Sequence, residues 1–173
     1  MSHGAPAIRL PAGSLVLLVG PSGSGKSTFA ARHFPRTHVL SSDEMRAIVA
    51  DDPADQSATD AAFELLHTAL ALRLARRRTS VVDATNVERW ARERLLAVAR
   101  RSGRPAIAIA MALPVEVCLE RNERRSDPRP PGAIRRQHRR LLASLASLPE
   151  EGFAAVHVLD SAEAVDAVDV EVG

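Results

Sequence analysis

The chain has 173 residues, enough for one domain with a sizeable core and too few for a large second domain. Hydrophobic residues make up 46% and charged residues 25%, an ordinary globular balance that excludes collagen-like, disordered and disulfide-framed chains. Lys and Arg number 23 against 21 Asp and Glu, a net charge of only +2, so charge by itself establishes no nucleic-acid partner. A single domain over residues 1–173 is expected. No stretch approaches the ~20 apolar residues of a membrane span, and the N-terminus lacks a secretory pattern. The lone cysteine, Cys118, forms no internal disulfide and suits a reducing compartment. A cytoplasmic location without membrane contact is therefore expected.

In chain order, Ser14 to Val19 is an apolar run ending in glycines, the pattern of a strand buried on both faces. A helix is predicted from Lys26 to before Pro35, a short strand over Thr37 to Leu40, and a helix over Asp43 to Ala50 that Asp51-Asp52-Pro53 breaks. Gln56 to Arg78 carries Phe63, Leu66, Leu70 and Leu74 along one helical face. Ser80 to Asp83 is a third strand, Val87 to Arg101 a helix, and Pro105 to Leu113 a fourth strand. Pro114 opens a helix that runs to about Arg125. The proline-rich stretch Ser126 to Gly132 is a loop, Ala133 to Leu148 a helix, and Ala154 to Leu159 the last strand. Beyond Asp160 one small helix and a frayed end are expected. Strands alternating with helices predict an α/β fold with a parallel sheet covered on both sides.

Gly20-Pro21-Ser22-Gly23-Ser24-Gly25-Lys26-Ser27-Thr28 matches G-x-x-x-x-G-K-[ST] between a predicted strand and a predicted helix. Glycines there let backbone N–H groups converge on phosphates, with the helix N-terminus adding partial positive charge. Gly20, Ser22, Gly23, Ser24, Gly25, Lys26, Ser27 and Thr28 are the expected nucleotide-binding residues. Lys26 would reach the β- and γ-phosphates, and Ser27 would bind Mg²⁺. Lys26 is also the sole lysine, which excludes the Asn-Lys-x-Asp signature of a GTPase. The other 22 basic residues are arginines, for most of which genome base composition is sufficient explanation. The chain is too short for the second lobe of a large motor, so a small phosphotransferase remains.

Asp43 follows the second strand, where α/β sheets place active sites. It reads equally as a base for an attacking hydroxyl or as a helix cap. Arg46, one turn on, would hold a substrate phosphate or pair with Asp43. Asp83 ends an apolar strand, the position of an acid beside Mg²⁺. Asn86 reads best as a cap on the next helix. Trp90 is expected to pack on the sheet, with base stacking as the alternative. His67 and Cys118 read as packing residues, the histidines lack zinc-ligand spacing, and 3% aromatics argues against an extended stacking platform.

Together these segments resemble the polynucleotide 5′-kinase domain of bacterial end-healing enzymes of the Pnkp type. The resemblance runs through Gly20–Phe29, Leu40-Ser41-Ser42-Asp43 with Arg46, Val81–Val87 with its Asp-Ala-Thr-Asn, and Cys118–Asn122. It continues through Arg135-Arg136-Gln137 to Gly152-Phe153, covering about residues 14–160. It implies a P-loop kinase fold with about five parallel strands and a helical lid near residues 114–140. It further implies transfer of the γ-phosphate of ATP, or of another nucleoside triphosphate, with Mg²⁺, to the 5′-hydroxyl end of RNA or DNA. By this resemblance Asp43 is the general base, Arg46 the contact to an acceptor phosphate, and Arg121 and Arg125 the lid arginines that clamp donor phosphates. Their i, i+4 spacing suits one helix face, though Arg124 is equally near Arg121. Larger members carry phosphatase and ligase modules, so the chain is expected either to stand alone or to be part of a larger enzyme. Small-metabolite kinases share these loops and are the alternative reading; a nucleotide-dependent binding module is another.

Overall fold

The computed structural model describes residues 7–173. It begins with β1 (Ala7–Leu10) and β2 (Leu15–Val19), then α1 (Lys26–His33). A 3₁₀ turn at Arg36–His38 leads to β3 (Val39–Ser41) and α2 (Ser42–Ala50). A second 3₁₀ turn, Gln56–Ala58, precedes α3 (Thr59–Ala75), β4 (Ser80–Asp83) and α4 (Arg89–Arg101). β5 (Ala106–Met111), α5 (Val115–Glu123) and α6 (Pro131–Leu145) follow. A 3₁₀ turn at Leu148–Glu150 leads to β6 (Ala155–Leu159), α7 (Ala162–Ala167) and β7 (Asp169–Val172).

The main sheet is fully parallel in the order β3-β4-β2-β5-β6. β2 lies at its centre, and all five of its aliphatic residues are buried, as a strand covered on both faces requires. β5 shows the pleat directly. Ala106, Ala108 and Ala110 join the core beneath α3 and α4, while Ile107, Ile109 and Met111 join the core with Phe29 of α1 and Cys118 of α5. On α3 the predicted face holds, with Leu66, Leu70 and Leu74 fully buried and Phe63 partly buried. The chain leaves β2 for β3 on one side and later reaches β5 on the other. Loops after β2, β3 and β4 therefore meet at one crevice beyond the strands' C-terminal ends.

Three parts differ from expectation. The segment Arg36–His38 is a 3₁₀ turn, so the second strand of the sheet starts only at Val39. The tail forms α7 as expected but does not fray. Its last residues make β7, paired in parallel with β1 in a separate two-stranded sheet. Ile8 and Leu10 are buried and alternate with exposed Ala7 and Arg9, a pattern of four residues too short to read alone. Thirdly, α4 starts at Arg89, because Asn86 sits at φ +50° and cannot begin a helix.

The turn before α4 is held by a buried ion pair. Arg92 has no solvent exposure; its Nε and Nη2 donate to both carboxylate oxygens of Glu151 at 2.7 and 2.6 Å. Its Nη1 donates to the carbonyls of Asn86 and Val87, both at 2.9 Å. Removing one partner strands a buried charge, at about 3–5 kcal/mol. Glu151→Ala should therefore lower unfolding free energy by about that amount in urea denaturation. Replacing both Arg92 and Glu151 by leucine should recover part of the loss; a Glu151→Ala midpoint equal to wild type would contradict the pair's role.

Candidate active site

The loop after β2 is shaped by two glycines that no other residue replaces freely. Gly23 has φ +82°, and a Cβ on it would lie 2.2 Å from the Cys118 carbonyl oxygen. Gly25 has φ +95° and caps α1. These turns aim successive amides inward. Ser22, Gly23, Gly25, Lys26, Ser27 and Thr28 line a cleft of about 820 Å³. Gly20 and Ser24 form the loop's frame instead, their amides donating to the Thr85 and Pro21 carbonyls at 2.9 and 3.2 Å.

Lys26 is buried, and its ammonium donates to the Pro21 carbonyl at 2.9 Å. Burial lowers its pKa from 10.5 to about 8, with the Asp83 carboxylate opposing the shift. Ser27 Oγ donates to Asp83 Oδ2 at 2.7 Å. That hydroxyl–carboxylate pair is the hard-oxygen set that suits Mg²⁺, which takes its remaining ligands from phosphates and water.

Across the cleft, the cap on α2 is Ser41, whose Oγ accepts from the Glu44 amide at 3.4 Å. The capping role considered for Asp43 is thus filled two residues earlier, and its carboxylate turns to the cleft. Arg46 Nη1 contacts Asp43 Oδ1 at 2.5 Å, Arg129 lies 3.5 Å away and Arg125 3.9 Å. Arg46 is itself buried and also reaches Thr59 and the Pro53 carbonyl, each at 3.4 Å.

The lid departs from the expected geometry. α5 ends at Glu123, so Arg121 lies in its last turn, whereas Arg125 lies beyond it in a turn closed by its amide donating to the Asn122 carbonyl. The two do not share one helix face, although both line the cleft. Arg124 pairs with Glu120 on the surface. Two further residues escaped the sequence reading. Arg129 fell in a stretch read only as a proline-rich loop, yet Asn122, buried in α5, holds its main chain through both amide atoms at 2.9 Å. Gln137 of α6 accepts a hydrogen bond from the Ser22 amide at 2.9 Å, tying the lid to the phosphate loop. The resemblance ran through Arg135-Arg136-Gln137 but gave Gln137 no role, and one more polar residue on the arginine-rich α6 did not set it apart.

Asn86 does not cap α4. It is buried, and its side chain donates to the Leu18 carbonyl at 2.8 Å, joining the β4 loop to the end of β2. Trp90 does not pack on the sheet: it is 60% exposed and lines the cleft. It precedes the buried stripe of Arg92, Leu95, Leu96 and Ala99 and falls off that face.

A phosphate loop, a Ser27–Asp83 pair and an arginine-bearing helical lid on this sheet define a P-loop kinase fold, and with it nucleotide binding. A family model described as an AAA domain matches residues 15–148, and the chain belongs to that family. No curated protein matches the sequence. Among solved structures, a chain of the Pnkp1/Rnl/Hen1 RNA repair complex is similar at TM-score 0.67 and 21% identity, over 85% of this chain and 47% of that one. This chain thus spans about half the length of that relative. A gluconokinase from Sinorhizobium meliloti 1021 is similar at TM-score 0.55 and 20% identity, over 91% of this chain and 87% of that one. Kti12 from Chaetomium thermophilum, in complex with ADP-AlF3, gives 0.59 and 19%, over 88% and 93%. At these identities the likeness is one of fold. Among the described residues, no helix is long and apolar enough to cross a membrane.

The lowered pKa of Lys26 makes nucleotide affinity depend on pH. Bound phosphates favour the ammonium, so binding above about pH 8 must be accompanied by proton uptake. Affinity for a nucleoside triphosphate should hold up to about pH 8 and then fall, up to about tenfold per pH unit. The empty protein has the opposite sign: between about 8 and 10.5 the unfolded chain binds the extra proton, so stability rises with pH. Calorimetric titration in two buffers of different ionisation enthalpy measures the uptake; a flat affinity from pH 7 to 9.5 would contradict it.

Proposed function

We propose that this P-loop kinase domain transfers the γ-phosphate of ATP, with Mg²⁺, to the 5′-hydroxyl end of RNA or DNA. The observation that carries the reading is Asp43: a carboxylate facing the cleft of the phosphate loop, encircled by Arg46, Arg125 and Arg129. A kinase needs a proton acceptor opposite its donor phosphates, and an acceptor strand brings phosphates of its own for the arginines. The resemblance of Gly20–Phe29, Ser-Ser-Asp-x-x-Arg and Asp-Ala-Thr-Asn, in that order, to polynucleotide 5′-kinases supports the same acceptor.

On this reading the loop amides and Lys26 hold the β- and γ-phosphates, and Ser27 and Asp83 hold Mg²⁺. The metal, when bound, neutralises charge on the phosphate oxygens. Arg46 holds the phosphate following the reactive nucleoside. Asp43 takes the proton of the 5′-hydroxyl as its oxygen bonds to the γ-phosphorus and the bond to the β-bridging oxygen breaks, leaving ADP. Arg121 and Arg125 stabilise charge on the transferring group. Residues 1–173 act as one kinase domain, with phosphatase and ligase modules as candidate partners. The fold of a gluconokinase supports a second reading, a small-metabolite kinase with the same donor half.

Turnover with labelled γ-phosphate donor, offered 5′-hydroxyl oligonucleotides beside a panel of small hydroxy acids, separates the two. Oligonucleotide ends should be phosphorylated; a wild type that uses only small molecules rejects the polynucleotide acceptor. Asp43→Asn should abolish transfer while ATP affinity and stability survive, and persistent transfer would return Asp43 to a structural role. Arg121→Ala or Arg125→Ala should slow turnover roughly 10²-fold, whereas Arg76→Ala and Arg101→Ala, both on exposed helix ends, should change it little. Equal small effects at all four positions would remove the lid assignment.

A further inference from the structure

We infer that Trp90 is the stacking surface for the nucleobase of the acceptor's terminal nucleoside, an inference that rests on the proposed polynucleotide acceptor. Trp90 is the only tryptophan, the chain has no tyrosine, and the four phenylalanines complete its aromatics. The residue is 60% exposed, on the wall of the same cleft that Asp43 and Arg46 line. Phe63 of α3 and Val87 of the β4 loop line that cleft with it. An exposed indole in a cleft with apolar lining has a flat face of large area to cover, and every base offers a matching π-face.

The placement selects the acceptor base over the adenine of ATP. In-line transfer puts the attacking and leaving oxygens on opposite sides of the γ-phosphorus. Asp43 and Arg46, on α2 after β3, mark the attacking side. Trp90 begins the helix after β4, the strand paired with β3, and its helix shares with α3 the sheet face opposite α1. The arginines facing the cleft then take the strand's phosphates while the indole takes its first base, which a sugar acid does not possess. The Asn86 and Val87 carbonyls, fixed by Arg92, hold the start of this helix in place.

The test compares a 5′-hydroxyl oligonucleotide with the same strand made abasic at its 5′ residue, which keeps the reactive hydroxyl and every phosphate. In the wild type the abasic end should raise acceptor KM by about tenfold or more, with a smaller effect on kcat. Trp90→Ala should show the raised KM with both strands and no difference between them, and Trp90→Phe should restore most of the preference. The sole indole also reports directly: its fluorescence should be quenched by the intact oligonucleotide and not by ATP alone. Equal KM for intact and abasic strands in the wild type overturns the stacking and leaves the polynucleotide reading standing. Quenching by ATP in the absence of oligonucleotide overturns it in favour of the donor base. A wild type that phosphorylates neither strand overturns both this inference and the acceptor on which it rests.

Discussion

A guanidinium without solvent contact sets the geometry of the donor half. Arg92 takes both oxygens of Glu151 and the carbonyls of Asn86 and Val87, so the β4–α4 turn, α4 and the 3₁₀ turn before β6 cannot shift independently. A charge buried this deeply is tolerable only when fully paired. Because the turn is fixed, Asn86 can hold a left-handed backbone and reach the end of β2. That bond adds to the ladder that already pairs Leu18 with Asp83, so the loops after β2 and β4, which bring Ser27 to Asp83, are fastened together twice.

The lid is built differently. It is tied to the phosphate loop through the single Gln137–Ser22 hydrogen bond and packs largely through Ile134, Leu141 and Cys118 on its inner faces. Its arginines rest against Asp43 at 3.5–3.9 Å, contacts that are weak beside solvent. Exchanging such pairs for phosphate oxygens requires no buried group to lose its partner, so this half can adjust to a ligand while the Arg92 strut holds the other half still. Asn122 limits that adjustment, since its clamp keeps the Arg129 backbone with α5.

Much of this was legible in the sequence because it rests on local, periodic or motif-bearing segments. The five strands of the main sheet are short apolar runs, and the phosphate loop announces itself by its glycines and its lone lysine. Ser27 and Asp83 stand out by the motif and by the end of an apolar strand, and their side chains meet at 2.7 Å. The rest depends on tertiary partners. Arg92 was hidden among 22 arginines, and nothing local says that its partner lies 59 residues away. Whether Ser41 or Asp43 caps α2 is a matter of one dihedral angle, invisible to a pattern that both residues satisfy. Arg125 was placed on a helix face because helix ends are poorly marked in an arginine–serine run; the helix stops two residues short of it. β1 and β7 are each four residues long and signify little until they meet.

The balance of charge in the cleft bears on the choice between acceptors. Of the charged residues lining it, Arg32 pairs with Asp166, Glu88 with Arg140 and Arg129 with Asp127, leaving Lys26, Arg46, Arg121 and Arg125 against Asp43 and Asp83. This local surplus of two positive charges matches a triphosphate with one Mg²⁺, which carries roughly two negative charges. An anionic acceptor would add its charge by exchanging with the carboxylates that Arg46 and Arg129 now face. An oligonucleotide phosphate can do so, but so can the carboxylate of a sugar acid, and electrostatics alone does not separate them. What separates them is the apolar part of the wall. A small hydroxy acid has no surface to set against an exposed indole and a phenylalanine lining the same cleft, whereas a nucleoside does. The combination of an arginine-lined cleft and an uncovered aromatic face favours an acceptor that is both anionic and flat.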